Sequence, residues 1–349
     1  MGTSNSVRWW RLAGSFFGVL VVASAAMIMQ APATAALTVP SVCAVDNLPV
    51  PDMVPRSVVT AADPTGRFIF GRSYPEDGTH QVLLWDNGQP SKIVFSGIDP
   101  AIASVNSAGV AIGYSYNDEG APVAYVYRGG TVTGLPDGTG VWANSINADG
   151  VIVGTRDDNQ PLIWHTPTST PAKLRLPIGY DRGAANAIDD DGVVVGEVYN
   201  SANPTRVPFV WDSRGVGHAL PLPSGGNRRF GSVALQIRNG WIIGVDRDWF
   251  DSQEKGVRWN LRLNILERVP GMFGPPRRVN NSGWMVGTDS DGHGVMSAGG
   301  RMVRLKDAFF SVPETYVNLP ISVSDDGKII AGTAEDESGT VHAVVWECG

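Results

Sequence analysis

Ala143-Asn144-Ser145-Ile146-Asn147-Ala148-Asp149-Gly150-Val151-Ile152-Val153-Gly154 returns 42 residues later as Ala185-Asn186-Ala187-Ile188-Asp189-Asp190-Asp191-Gly192-Val193-Val194-Val195-Gly196. Its simplest element is a glycine, three or four mostly apolar residues, and a second glycine. That element also occurs at Gly66–Gly71, Gly109–Gly113, Gly240–Gly244, Gly283–Gly287 and Gly327–Gly332. The first glycines of the seven copies are 43, 41, 42, 48, 43 and 44 residues apart. A fixed period of this size marks one supersecondary unit that buries its faces only against its neighbours.

Each unit reads as four strands. Strand a ends just before the first glycine. The residue three before that glycine is Asp63, Asn106, Asn147, Asp189, Asn280 or Ser324 in six units. Such side chains bond amides two residues on, and glycine supplies the positive φ that closes a hairpin. Strand b is the bracketed apolar run, β-branched and without polar alternation, as expected of a strand buried on both faces. Strand c ends in Trp85, Tyr127, Trp164, Trp211, Trp259 or Trp346, with Met296 in the sixth unit. Strand d is a short stretch such as Ala219-Leu220-Pro221-Leu222-Pro223. A small residue two before the turn residue (Ala61, Ser104, Ser145, Ala187, Ser322) suits a crowded inner rim.

These features predict an all-β fold, a seven-bladed β-propeller of four-stranded antiparallel blades. The repeats lie near 58–97, 102–136, 142–177, 184–223, 232–270, 276–307 and 320–349. The last unit stops at Trp346-Glu347-Cys348-Gly349, with no strand d of its own. Residues 44–51, with Leu48-Pro49, match the endings of other d strands. The N-terminal segment is therefore expected to supply the missing outer strand of the last blade. That places Cys43 beside Cys348, and the two cysteines are expected to form one disulfide. Two free thiols are the alternative.

Arg8 and Arg11, an apolar run from Leu12 to Met29, and the small residues Ala31 to Ala36 have the layout of a cleavable secretory signal. A retained anchor is the alternative, since 18 residues approach spanning length. On the first reading residues 1–36 are the signal and 37–349 a single propeller, secreted and not membrane-bound after cleavage. Without those residues the chain has 25 basic and 34 acidic side chains, a net charge of −9. Such a surface repels phosphate backbones, which argues against a nucleic-acid partner.

The repeat resembles the extracellular HAF-repeat family, whose units read Ala-x-x-Ile-Asn-x-x-Gly-x-Val-Val-Gly followed by Ala-Phe-x-Trp. Residues 143–154 and 185–196 match the first element, and Pro208-Phe209-Val210-Trp211 and His342-Ala343-Val344-Val345-Trp346 resemble the second. Unit five departs from it, with Arg238-Asn239-Gly240 at the turn, and unit six lacks the tryptophan. The resemblance implies an exported propeller-like repeat protein and carries no catalytic residues.

The five histidines are scattered, and the chain has no G-x-S-x-G elbow, P-loop, dinucleotide fingerprint or H-E-x-x-H. No catalytic residue and no cofactor are assigned. Topology sends the b–c and d–a loops to one face. The b–c loops are acidic, and Asp289 and Asp291 are the best candidates for calcium, though short of its usual six to eight oxygens. Solvated hairpin tips are the alternative. The d–a loops carry Tyr180 and Arg182, Arg228, Arg229 and Phe230, Phe273, Arg277 and Arg278, and Phe309 and Tyr316. Aromatic faces beside guanidinium groups suit sugars, carboxylates or peptides. The reading is a secreted, non-enzymatic scaffold that binds a glycan, peptide or protein on this face. The competing one is a polysaccharide hydrolase or lyase using carboxylates such as Asp246, Asp248 or Asp289, which needs two carboxyl groups roughly 5–10 Å apart.

Overall fold

The computed structural model describes Met1 and residues 38–51, 54–76, 78–223, 231–248, 253–309 and 318–349. The expected signal at 1–36 lies, Met1 aside, outside the described residues. Residues 37–349 form one unit.

The glycine pairs build each blade for two separate reasons. The first glycine of every unit has positive φ, between 72° and 84°, at Gly66, Gly109, Gly150, Gly192, Gly240, Gly283 and Gly327. A side chain there would sit in the left-handed region that L-residues disfavour. In blades one to five and seven the second glycine faces a β-bulge in strand a, as between Ala143 and Ser145 opposite Gly154. The bulge pushes a carbonyl outward, so a Cβ at Gly154 would lie 2.3 Å from the Trp142 oxygen, and one at Gly196 1.9 Å from the Ala184 oxygen.

Seven four-stranded antiparallel sheets result, each in the order a-b-c-d. The a strands are Ser57–Ala62, Ile98–Val105, Val141–Ile146, Arg182–Ile188, Ser232–Arg238, Arg278–Val279 and Asn318–Val323. Neighbouring a strands touch, so they form the inner wall of the ring. In the last blade the outer strand is the N-terminal Cys43–Asn47, paired antiparallel with Val341–Cys348. Cys43 stands opposite Cys348 in that ladder, and the two are joined by a disulfide across 305 residues. The ring is thus closed as the sequence predicts.

The core is divided into seven apolar clusters, one between each pair of adjacent blades. Most have a tryptophan at the centre: Trp85, Trp164, Trp211 and Trp346 are 0% exposed and Trp259 1%. Each indole N–H donates to a carbonyl of the preceding blade's outer segment. The acceptors are Pro49 for Trp85, Pro136 for Trp164, Arg175 for Trp211, Pro221 for Trp259 and Lys306 for Trp346. In each case the residue just before the acceptor is a buried leucine: Leu48, Leu135, Leu174, Leu220 or Leu305. The end of strand d therefore supplies both an apolar plug, the leucine, and a carbonyl, that of the residue after it. Replacing one such tryptophan by alanine costs about 3–5 kcal/mol, from lost burial together with the cavity left behind.

Candidate functional site

All a strands run the same way, from the d–a loops to the a–b turns, so equivalent residues form rings around a central channel. The residue paired with the one just before the second glycine is Ala61, Ser104, Ser145, Ala187, Gln236, Arg278 or Ser322 in blades one to seven. Five are small and buried. Ser104 accepts the Ile146 amide of the next blade at 3.4 Å, and Ser145 that of Ile188 at 3.3 Å. Blades five and six break the rule with two long polar side chains at one level. The Arg278 Nη1 donates to Gln236 Oε1 at 2.7 Å. The cavity there is ≈ 60 Å³ and is lined by residues of all seven blades.

At the a–b end the turn residues tie blade to blade. The Asn106 amide donates to the Asn147 carbonyl, Asn147 to that of Asp189, and Asn280 to that of Ser324. Their Oδ1 atoms cap their own turns, as expected from sequence. Blade four differs: the Asp189 carboxylate accepts the amides of Asn239 and Gly240 in blade five. This compensates for Arg238, which stands where blade five would carry its own cap. Released from the turn, Arg238 pairs with Asp190 of blade four and reaches Asp325 of blade seven at 2.6 Å. Asp325 also accepts the Asn281 amide of blade six. Burial pulls the Arg238 pKa down, but its bonds to Asp325 and Asp190 outweigh it and hold the guanidinium more firmly protonated than usual. A charged clasp thus crosses the a–b mouth.

Arg278, deeper in the channel, has no such partners. Among the described residues no carboxylate bonds it, and its Nε has no hydrogen-bond partner. The two carboxylates that line the cavity, Asp190 and Asp325, belong to the Arg238 clasp. Burial pushes the Arg278 guanidinium down to about 10. It is still charged at neutral pH. A half-buried cation with one neutral partner is a poorly compensated charge.

On the loop face the residues singled out from sequence are dispersed. Tyr180 packs against the cluster between blades three and four. Arg182 begins the inner strand of blade four opposite Tyr199. Phe309 packs on the last cluster, its ring 5.0 Å from that of His342. Phe273 is 61% exposed and Arg277 is exposed, both on the loop between blades five and six. Arg278, placed with this loop from sequence, turns inward instead and lines the channel. Arg228, Arg229, Phe230 and Tyr316 lie outside the described residues.

The Asp289 Oδ1 accepts the amides of Asp291 and His293, folding its own hairpin tip. Asp246 accepts the Ser232 hydroxyl at 2.9 Å. Asp248 has no described side chain. Among the described residues no group of three or more His, Cys, Asp or Glu is gathered for a metal ion.

Two polar clusters on the loop side have no local sequence signal. Asp99, at φ 51°, receives Arg72 at 2.9 Å and His80 at 2.6 Å, clipping blade one to the next connection. Glu197 is bonded by Asn186 at 2.9 Å and Arg206 at 2.6 Å. Burial raises its pKa despite both. Asn186 also donates to the Ala234 carbonyl, so the group joins blades four and five.

No protein-family model matches this chain, and no curated protein matches it. Solved structures do. The β-propeller domain of the trilobed protease from Pyrococcus furiosus is 11% identical over 83% of this chain and 95% of that one, with a TM-score of 0.56. Oligogalacturonate lyase from Vibrio parahaemolyticus is 10% identical over 88% of this chain and 97% of that one, with a TM-score of 0.53. TolB from Acinetobacter baumannii is 14% identical over 63% of this chain, with a TM-score of 0.47, and the match spans 55% of its length. At these identities the first two likenesses establish the propeller fold and nothing further.

Proposed function

We propose that this chain is a secreted, non-enzymatic propeller of the HAF-repeat kind that binds a glycan, peptide or protein on the face carrying the d–a and b–c loops. The observation behind this reading is the exposed pair Phe273 and Arg277, at the end of the channel away from the Arg238 clasp. An exposed aromatic ring and an exposed guanidinium on one loop offer stacking and charge to a sugar ring, a carboxylate or a peptide. Export is supported by the Cys43–Cys348 bridge, which persists in oxidising compartments. Binding is favoured over hydrolysis because Asp289 is engaged by its own loop and Asp246 by Ser232.

The test is a screen of residues 37–349 against cell-surface glycans, peptides and secreted proteins, followed by the Phe273→Ala, Arg277→Ala double variant. Both side chains are exposed, so the fold is expected to survive. Affinity for the captured ligand should fall at least roughly tenfold, as for loss of an interface anchor. An unchanged affinity places the site elsewhere.

A further inference from the structure

We propose that the central channel holds a carboxylate-binding site built on Arg278, with Gln236 and Ser322 beside it. Every other blade for which this ring position is filled by a small side chain gives the channel a narrow, close-packed wall, and blades five and six depart from that pattern together. The departure brings a planar cation into the ring without a compensating acid. Gln236 takes up one Nη1 proton at 2.7 Å, the Nε is closed off without a partner, and the Arg278 side chain lines the cavity. Hydroxyls of Ser322, Ser104 and Ser145 line the same space. The nearest cavity acids, Asp190 and Asp325, are already paired with Arg238.

A guanidinium fork matches a carboxylate with two parallel N–H···O bonds. The volume agrees. At roughly 10–15 Å³ of such space per water-sized atom, ≈ 60 Å³ admits a carboxyl group and little more. Two sources share this chemistry: a small free acid, or the acidic end of a longer chain reaching in from the d–a mouth, since the clasp crosses the opposite one. The site is independent of whatever the loop face takes.

The experiment titrates residues 37–349 with sodium formate and acetate at constant ionic strength, using chloride as the balancing salt and ¹³C-formate NMR with thermal melts as readouts. A second arm uses one short peptide with a free or an amidated C-terminus. Saturable binding of formate in the millimolar range is expected, with a rise in Tm that chloride does not reproduce. Arg278→Met should weaken it at least tenfold. Its fold should hold, because a half-buried charge without an acidic partner is replaced by an apolar chain of similar length. Arg278→Lys keeps the charge without the fork and should weaken binding several-fold, which keeps the test open if the methionine variant fails to fold. Phe273→Ala with Arg277→Ala should leave formate binding unchanged.

Binding of the free but not the amidated peptide would support the site with a chain end as its source, and binding of the small acids alone would support it with a free acid. No saturable binding in either arm, or affinities of Arg278→Met and Arg278→Lys within twofold of the parent, would overturn it.

Discussion

Replacing Cys43 and Cys348 by serine tests how the ring is closed. The bridge spans 305 residues, so the chain-entropy expression gives a loop term of about 6 kcal/mol at 25 °C. That figure is a ceiling, because denatured chains keep some compactness, and loss of a native disulfide typically costs about 2–5 kcal/mol. The closing strand has non-covalent anchors too. Cys43–Asn47 pairs along Val344–Cys348, Leu48 is 6% exposed, and the Pro49 carbonyl receives the Trp85 indole at 2.6 Å. The double variant should therefore still fold, with a stability lower by about 2–5 kcal/mol in equilibrium urea unfolding. Amides of residues 44–47 should exchange faster than those of the strands in blades two to four. A loss below about 1 kcal/mol, with unchanged exchange at 44–47, would refute the claim that the bridge holds the ring shut.

Gly154→Ala should cost about 1–3 kcal/mol or more from overpacking, since its Cβ would meet the Trp142 oxygen at 2.3 Å. Gly150→Ala, at φ 82° and with only an ordinary contact to Pro167 Cδ at 3.9 Å, should cost only the left-handed penalty of about 1–2 kcal/mol. Thermal melts that rank the two in reverse would contradict the assigned roles. Arg238→Met should destabilise by about 1–3 kcal/mol, because it leaves Asp190 and Asp325 without their cation. A double-mutant cycle with Asp325→Asn that proves additive would deny the clasp across blades five and seven. Asp336 is held below the usual carboxylate range by the Ser338 hydroxyl above all, then by His342 and the amides of Thr340 and Ser338, with burial opposing. Its folded pKa lies below its unfolded value of about 3.9. It therefore stabilises the fold above that value and loses its contribution as pH falls further. The stability gap between the parent and Asp336→Asn should be constant at neutral pH and close below about pH 4, and a gap that instead widens on acidification would reverse the sign argued here.

Most of the architecture was legible in the chain because it rests on local rules repeated seven times. A glycine at positive φ, an Asx or Ser cap three residues earlier, and an aromatic at the end of strand c each report a conformation set within a few residues. Period and count then follow, and the two unmatched ends, Leu48-Pro49 and Trp346-Glu347-Cys348, point to their own pairing. The acceptors of the tryptophan N–H groups were not legible, although each follows a leucine, because they lie in the preceding blade.

The channel chemistry belongs wholly to the tertiary structure. Arg238 and Asp325 are 87 residues apart and meet only because the ring curves blade seven back towards blade five. Whether Arg278 would join the exposed loop with Arg277 or face the axis depended on its place in the ladder, where it stands opposite Val286 as the first residue of the inner strand. Local composition decides which residues turn, pair and bury, since those preferences act over a few bonds. Which charges find partners is decided only once the circle closes, because that is a matter of distance in space.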